Sequence, residues 1–259
     1  MLKRRQLMNA ALWSLPATAL SAVAPSGAWA RGAPVRLAAS EFPPYMSAAL
    51  PGGGVSCQIA MESFRAAGLD CLLEFRPWAR AMSEFLAGQF DGLIATWWTP
   101  ERAQQMAFSP ELGVVNRFGF MARADRLRPV DDLARLKDLL IGTVNGYANP
   151  ERFERAGLRQ EKALDDLSNL RKLLIGRVDL ALIDKGVAHH LLRTQLAAEA
   201  RLLRWLEPEV GEYKQYVALH KAGEHRGMQM QAALTEGMAR LRSSGALARL
   251  LRQGADWQV

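Results

Sequence analysis

One short pattern occurs twice in this chain and restricts how it can fold. Residues 84–95 read EFLAGQFDGLIA and residues 172–183 read KLLIGRVDLALI. At a spacing of 88 residues, Phe85, Leu86, Gly88 and Asp91 match Leu173, Leu174, Gly176 and Asp179. Each copy closes an amphipathic helix, ends it at a glycine suited to a left-handed C-terminal cap, and runs into a short apolar strand. A helix–Gly–strand unit used twice predicts two α/β lobes of similar build.

The rest of the chain fits this frame. Short apolar strands are predicted at 35–40, 71–75, 116–122, 139–144, 202–206 and 213–219. Helices are predicted at 55–67, 80–87, 130–137, 167–175, 187–199, 227–241 and 246–252, with another starting near Pro150. Strands alternating with helices imply mainly parallel sheets. Ligands on such sheets bind outside the carboxyl ends of the strands. That rule selects the loops 41–45, 77–80, 95–102 and 143–149 together with Asp184. These loops come from both halves of the chain, so the site is expected in a cleft between two lobes.

The first 30 residues stand apart. Lys3, Arg4 and Arg5 precede an apolar run, and Ala28-Trp29-Ala30 fits a small-x-small cleavage rule. We expect a secretory signal cleaved after Ala30, by the general or the twin-arginine route. Pro16, Ser14, Thr18 and Ser21 interrupt the run too often for a membrane anchor. The signal holds three basic and no acidic residues, so its removal takes the formal charge from +7 to +4. This mild excess comes without a Lys/Arg block interleaved with aromatics, and nucleic acid is not an expected partner. Cys57 and Cys71 are the two cysteines. The helix between them holds them about 15 Å apart, beyond the reach of a disulfide. Two buried thiols are expected.

Within the cleft loops, Arg102 carries most meaning. Thr99 suits a helix N-cap and Pro100 the first helical position, which puts Arg102 in the first turn, where the helix dipole disfavours a cation. It either lies in solvent, pairs with Glu101, or grips an anion through a two-bond fork. Asp184 ends an apolar strand. It either pairs with Lys185, caps the next helix, or accepts from an ammonium group. Phe42, Tyr45, Trp78, Trp97 and Trp98 gather on the same loops and could wall a small ligand or hold a cation. Thr96, Thr99, Thr143 and Asn145 offer hydroxyl and amide groups. His189 and His190 are adjacent, without the i,i+4 spacing of a metal pair. No phosphate-binding glycine loop, nucleophile elbow or paired-cysteine motif occurs. No metal, cofactor or catalytic residue is therefore expected.

The segments FPPY, PWARAMSEFLAGQFDGLIATWWTPERAQQMAFSP and GRVDLALID, with LRSSGALARLL near the end, resemble the type II periplasmic solute-binding proteins of the polar amino-acid group, family 3. The resemblance implies a two-lobe α/β fold with two crossover strands, near residues 118–122 and 216–219. Residues 31–120 plus 218–259 would form lobe 1 and residues 121–217 lobe 2. It further implies that Arg102 holds a ligand carboxylate, that Asp184 holds its ammonium, and that Phe42 and Trp78 sandwich it. A group at Thr143 to Tyr147 would assist with the carboxylate. Where the family commonly reads T-x-T-x-x-R, this chain reads TWWTPER, which favours a different small zwitterion or acid. The implied protein is a monomer of the periplasm that binds an amino acid or small carboxylate and presents it to an ABC importer or a membrane sensor. The alternative is a dehydratase-like enzyme on the same fold, with Glu41 as its acid.

Overall fold

A computed structural model describes residues 33–253. The proposed signal and its cleavage point lie outside the described residues. The strands are β1 (Val35–Ala39), β2 (Cys71–Phe75), β3 (Gly92–Trp97), β4 (Ala107–Phe108), β5 (Val115–Arg123), β6 (Leu140–Val144), β7 (Arg159–Ala163), β8 (Leu180–Asp184) and β9 (Leu203–Leu219). The helices are α1 (Val55–Ala66), α2 (Trp78–Leu86), α3 (Pro100–Gln105), α4 (Glu151–Arg155), α5 (Asp166–Leu174), α6 (Lys185–Thr194), α7 (Gly227–Ser243) and α8 (Ala246–Gln253).

The described strands run in the order β2-β1-β3-β9-β5-β8-β6-β7, with β4 also on β9. β1 pairs in parallel with β2 and β3, and β6 in parallel with β7 and β8. These two parallel groups meet through antiparallel β5 and β9. The first part of β9 pairs with β5, through Lys214 opposite Val115. Its last part pairs with β3, through Gln215 opposite Trp97. One 17-residue strand thus belongs to both halves, where the sequence reading expected two separate strands. Glu207, Pro208, Glu209 and Gly211 broke the apolar pattern without breaking the strand.

The repeated unit has the same structural consequence in both places. Asp91 accepts the Arg36 N–H at 2.9 Å and returns its own N–H to the Arg36 carbonyl. Asp179 accepts the Leu140 N–H at 2.9 Å and returns its N–H to the Leu140 carbonyl. In each half this carboxylate locks the start of one strand to the start of its neighbour. Gly88 and Gly176 both have positive φ, 77° and 72°, as the helix cap requires. Phe85 and Leu173 are fully buried, each worth about 1.5–3 kcal/mol of apolar transfer.

Other local expectations changed on folding. The helix expected at 130–137 is a single 3-10 turn, Leu133–Leu136, capped by Asp132. β7, RQEKA, was not anticipated, because an edge strand this polar has no apolar alternation. Cys57 and Cys71 are both free, but only Cys57 is buried and Cys71 is partly exposed.

Candidate functional site

The loop after β1, the start of α2, the end of β3 and the turn after β6 converge on the junction with β5 and β9. Trp97 lies at the centre. Its ring sits 5.2 Å from Tyr147, 5.9 Å from Phe42 and 4.9 Å from Phe118, all edge to face, and stacks on Tyr213 at 5.1 Å. Phe42 also stacks on Tyr45 at 5.4 Å, and Trp78 meets Tyr147 edge-on at 6.1 Å. Such pairs are worth about 0.5–1.5 kcal/mol each beyond their buried area. Between them is a cavity of about 10 Å³, lined by Ser40, Phe42, Met46, Trp78, Ala95, Trp97 and Tyr147. That is room for about one water. Ala95 has φ 56°, at the point where the β3–β9 register shifts. A bulge here reorients the strand end that carries Trp97.

Arg102 borders this cluster. Thr99 caps α3 by accepting the Arg102 N–H at 3.2 Å, with Pro100 in the first turn, as the sequence indicated. The guanidinium lies over the Trp78 ring at 5.4 Å. It donates to the Trp97 carbonyl at 3.0 Å and to the Gly146 carbonyl at 3.2 Å. Among the described residues no carboxylate pairs with it. Burial pulls its pKa down to about 10, with Tyr213 opposing, so it stays charged at neutral pH.

Asp184 is fully buried. Its Oδ1 accepts from the Tyr45 hydroxyl and from the Val187 N–H, each at 2.9 Å, and its Oδ2 accepts from the Arg117 N–H at 2.9 Å. The helix-cap role is therefore the one realised. Burial raises its pKa to about 6, against the pull of these donors. A second buried carboxylate, Asp166, accepts from the Tyr147 hydroxyl at 3.2 Å. Burial raises it to about 7, and its Oδ1 has no partner. Behind the rings, Asn116 Oδ1 accepts from Trp97 Nε1 at 2.8 Å and from Gln215 Nε2 at 2.9 Å, while Ser56 donates to Gln215 at 2.5 Å. Asn116, Gln215 and Ser56 are fully buried.

The matching family model is that of the bacterial extracellular solute-binding proteins, family 3, over residues 36–253. The chain belongs to this family. Family 3 solute-binding proteins share a mixed α/β type II periplasmic-binding fold, and solved structures resemble this chain over most of its length. A histidine kinase sensor domain with similarity to periplasmic binding proteins has TM-score 0.76 and 18% identity, covering 86% of this chain and 96% of its own. The arginine-, lysine-, histidine-binding protein ArtJ from Geobacillus stearothermophilus has TM-score 0.71 and 20% identity, covering 85% and 94%. The ancestral amino acid-binding protein AncCDT-1, a precursor of cyclohexadienyl dehydratase, has TM-score 0.67 and 14% identity, covering 85% and 93%. No curated protein sequence matches this family 3 member significantly.

In this family 3 member the structure gathers Phe42, Tyr45, Trp78, Trp97, Tyr147 and Arg102 at one place, with Asp184 beneath Tyr45. It does not gather the polar groups. Thr96 is buried and donates to the Leu93 carbonyl, and Thr143 donates to Gln160 on β7. Asn145 is exposed, and Trp98 is 49% exposed on the outside. Glu41 is exposed, accepting the Ala48 N–H at 3.0 Å. Met46, Phe118, Tyr213 and the Gly146 carbonyl were missed. The last is a backbone atom and left no trace in residue type. Among the described residues no helix is long and apolar enough to cross a membrane, and no cluster of His, Cys, Asp or Glu suits a metal ion.

Proposed function

We propose that this protein is exported to the periplasm through residues 1–30. There it binds an amino acid or related small carboxylate for delivery to an ABC importer. The two sheet halves act as lobes that close on the ligand by hinge motion. Arg102 carries this reading. A half-buried guanidinium, held by two carbonyl oxygens and by the Trp78 face, and without a carboxylate partner, is matched to an incoming carboxylate. Phe42, Trp78, Trp97 and Tyr147 supply the apolar walls. The 10 Å³ cavity is too small for any such solute, so binding requires the lobes to part first.

The test is a thermal-shift screen of the purified protein against amino acids and small acids. A ligand at 100 times its Kd adds about 2.7 kcal/mol. Arg102→Ala should abolish the shift for every carboxylate that gives one, and a full shift in that variant would end the assignment. Turnover of a prephenate-like acid without any shift would instead identify an enzyme, with Glu41 as its acid.

A further inference from the structure

Two buried carboxylates lie beside the aromatic cluster, and a tyrosine hydroxyl caps each. Tyr147 donates to Asp166, and Tyr45 donates to Asp184. The Tyr45 arrangement is closely fitted. Tyr45 comes from the loop after β1 and is 2% exposed. Its hydroxyl reaches across to the start of α6, where Gly186 leaves room for it. A Cβ at Gly186 would lie 2.5 Å from the hydroxyl oxygen and 3.3 Å from Asp184 Oδ1. The remaining donors to Asp184 are the backbone N–H groups of Val187 and Arg117. Both oxygens are thus engaged by the protein itself.

The cavity walls contain no acidic side chain. Glu41, Asp165 and Asp166 line neighbouring openings instead. There Asp165 caps α5 through the Ser168 N–H, and Asp166 lies behind Tyr147, from whose hydroxyl it accepts. Arg102 is the cation that borders the cluster, and the two carboxylates beside it each accept from a tyrosine hydroxyl. A carboxylate entering here finds a counter-charge. An ammonium next to that carboxylate would lose its water and find Asp184 bonded to three protein donors. It would reach Asp166 only past the Tyr147 hydroxyl from which Asp166 accepts, and burying a poorly paired charge is costly.

We propose that Tyr45 is the specificity residue of this cleft. By seating its hydroxyl on Asp184 it selects acids that lack an ammonium group over the corresponding α-amino acids. This rests on the binding reading above and narrows its ligand class. Tyr45 acts as an internal substitute for the hydrogen bond that a ligand ammonium would donate to Asp184.

Calorimetric titration with matched pairs tests the proposal: 3-phenylpropionate against L-phenylalanine, glutarate against L-glutamate, and 4-methylpentanoate against L-leucine. The wild-type protein should bind the acid of at least one pair ten times or more tightly than its amino partner. Tyr45→Ser, which frees Asp184 and opens space beside it, should shrink that ratio at least tenfold. Tyr45→Phe keeps the packing and removes only the hydroxyl, and should shrink it by less, so a folded variant is available if the serine form is unstable. Equal or tighter binding of the amino acid by wild type, or an unchanged ratio in both variants, overturns the role of Tyr45 while the binding reading stands. Failure of every acid and every amino acid to bind overturns the binding reading and this inference with it.

Discussion

Trp78 and Arg102 donate to one and the same acceptor, the carbonyl oxygen of Gly146, at 2.8 Å and 3.2 Å. Both donors come from the β1–β3 half and the acceptor from the turn after β6. A neutral hydrogen bond contributes about 0.5–1.5 kcal/mol net. Trp78→Phe keeps an aromatic side chain at this buried position but deletes the indole donor and some ring volume. It should lower stability in urea unfolding by about 1 kcal/mol, and an unchanged midpoint would mean that the bond does not persist in solution.

Arg102→Lys tests geometry rather than charge. Lysine keeps a cation but loses the planar fork. The variant should bind the best acid of the wild-type protein roughly tenfold more weakly, about 1.4 kcal/mol, while its melting temperature without ligand moves little. Equal affinity would show that charge alone is used.

Asp166 makes stability depend on pH. Its carboxyl is raised to about 7 by burial in the folded chain, against about 3.9 when unfolded. Between these values the folded chain holds a proton that the unfolded chain releases, so the contribution of Asp166 to stability falls as pH rises from 4 to 7. Asp166→Asn removes this dependence. The variant should gain on wild type as pH rises, by at most about 4 kcal/mol at pH 8. Urea midpoints at pH 4.5, 6 and 8 check it. Glu74, Asp125 and Glu161, whose pKa values are lowered by ion pairs, act in the opposite sense and at lower pH.

How much of this was legible depends on how local each cause was. The Thr99–Pro100 start of α3 and the two glycine caps are written within a few residues, and the sequence reading found them. So is the Asp91/Asp179 repeat, although its meaning, a carboxylate clasping the next strand, appeared only in the structure. Tyr45 and Asp184 are 139 residues apart, and no local pattern signals that one fills the other. Thr96 and Thr143 looked like ligand groups because threonine on a cleft loop offers a hydroxyl. Strand direction turned both toward protein acceptors instead.

Gly237 separates packing from binding. A Cβ there would lie 1.7 Å from the Ser63 carbonyl oxygen of α1, so Gly237→Ala must force α7 away from α1. We expect a loss of about 3 kcal/mol or more in chemical unfolding, with ligand preference unchanged in whatever fraction stays folded. Normal stability would mean that the two helices are less closely apposed.

The cysteines should be chemically quiet. Burial pushes both the Cys57 and Cys71 thiols up to about 12, leaving a thiolate fraction on the order of 10⁻⁴ at pH 8. A disulfide-exchange dye should label neither quickly in the native protein and both after unfolding. Rapid native labelling of Cys71 would show that strand β2 frays.

The chain passes from the β1–β3 half to the other between Phe108 and Val115, and returns where β9 changes partners at Lys214 and Gln215. Val115 and Lys214 are themselves cross-strand neighbours, so the two passages lie side by side. A pair of adjacent tethers resists sliding and pulling apart but yields to twist about the line between them. In the proposed closure, Trp97, bonded to Asn116 beside that line, would sit near the pivot and travel least. The outer strands β2 and β7 sit at the ends of the two lever arms, so any partner that senses the state of the cleft would read the largest displacement there, far from the ligand.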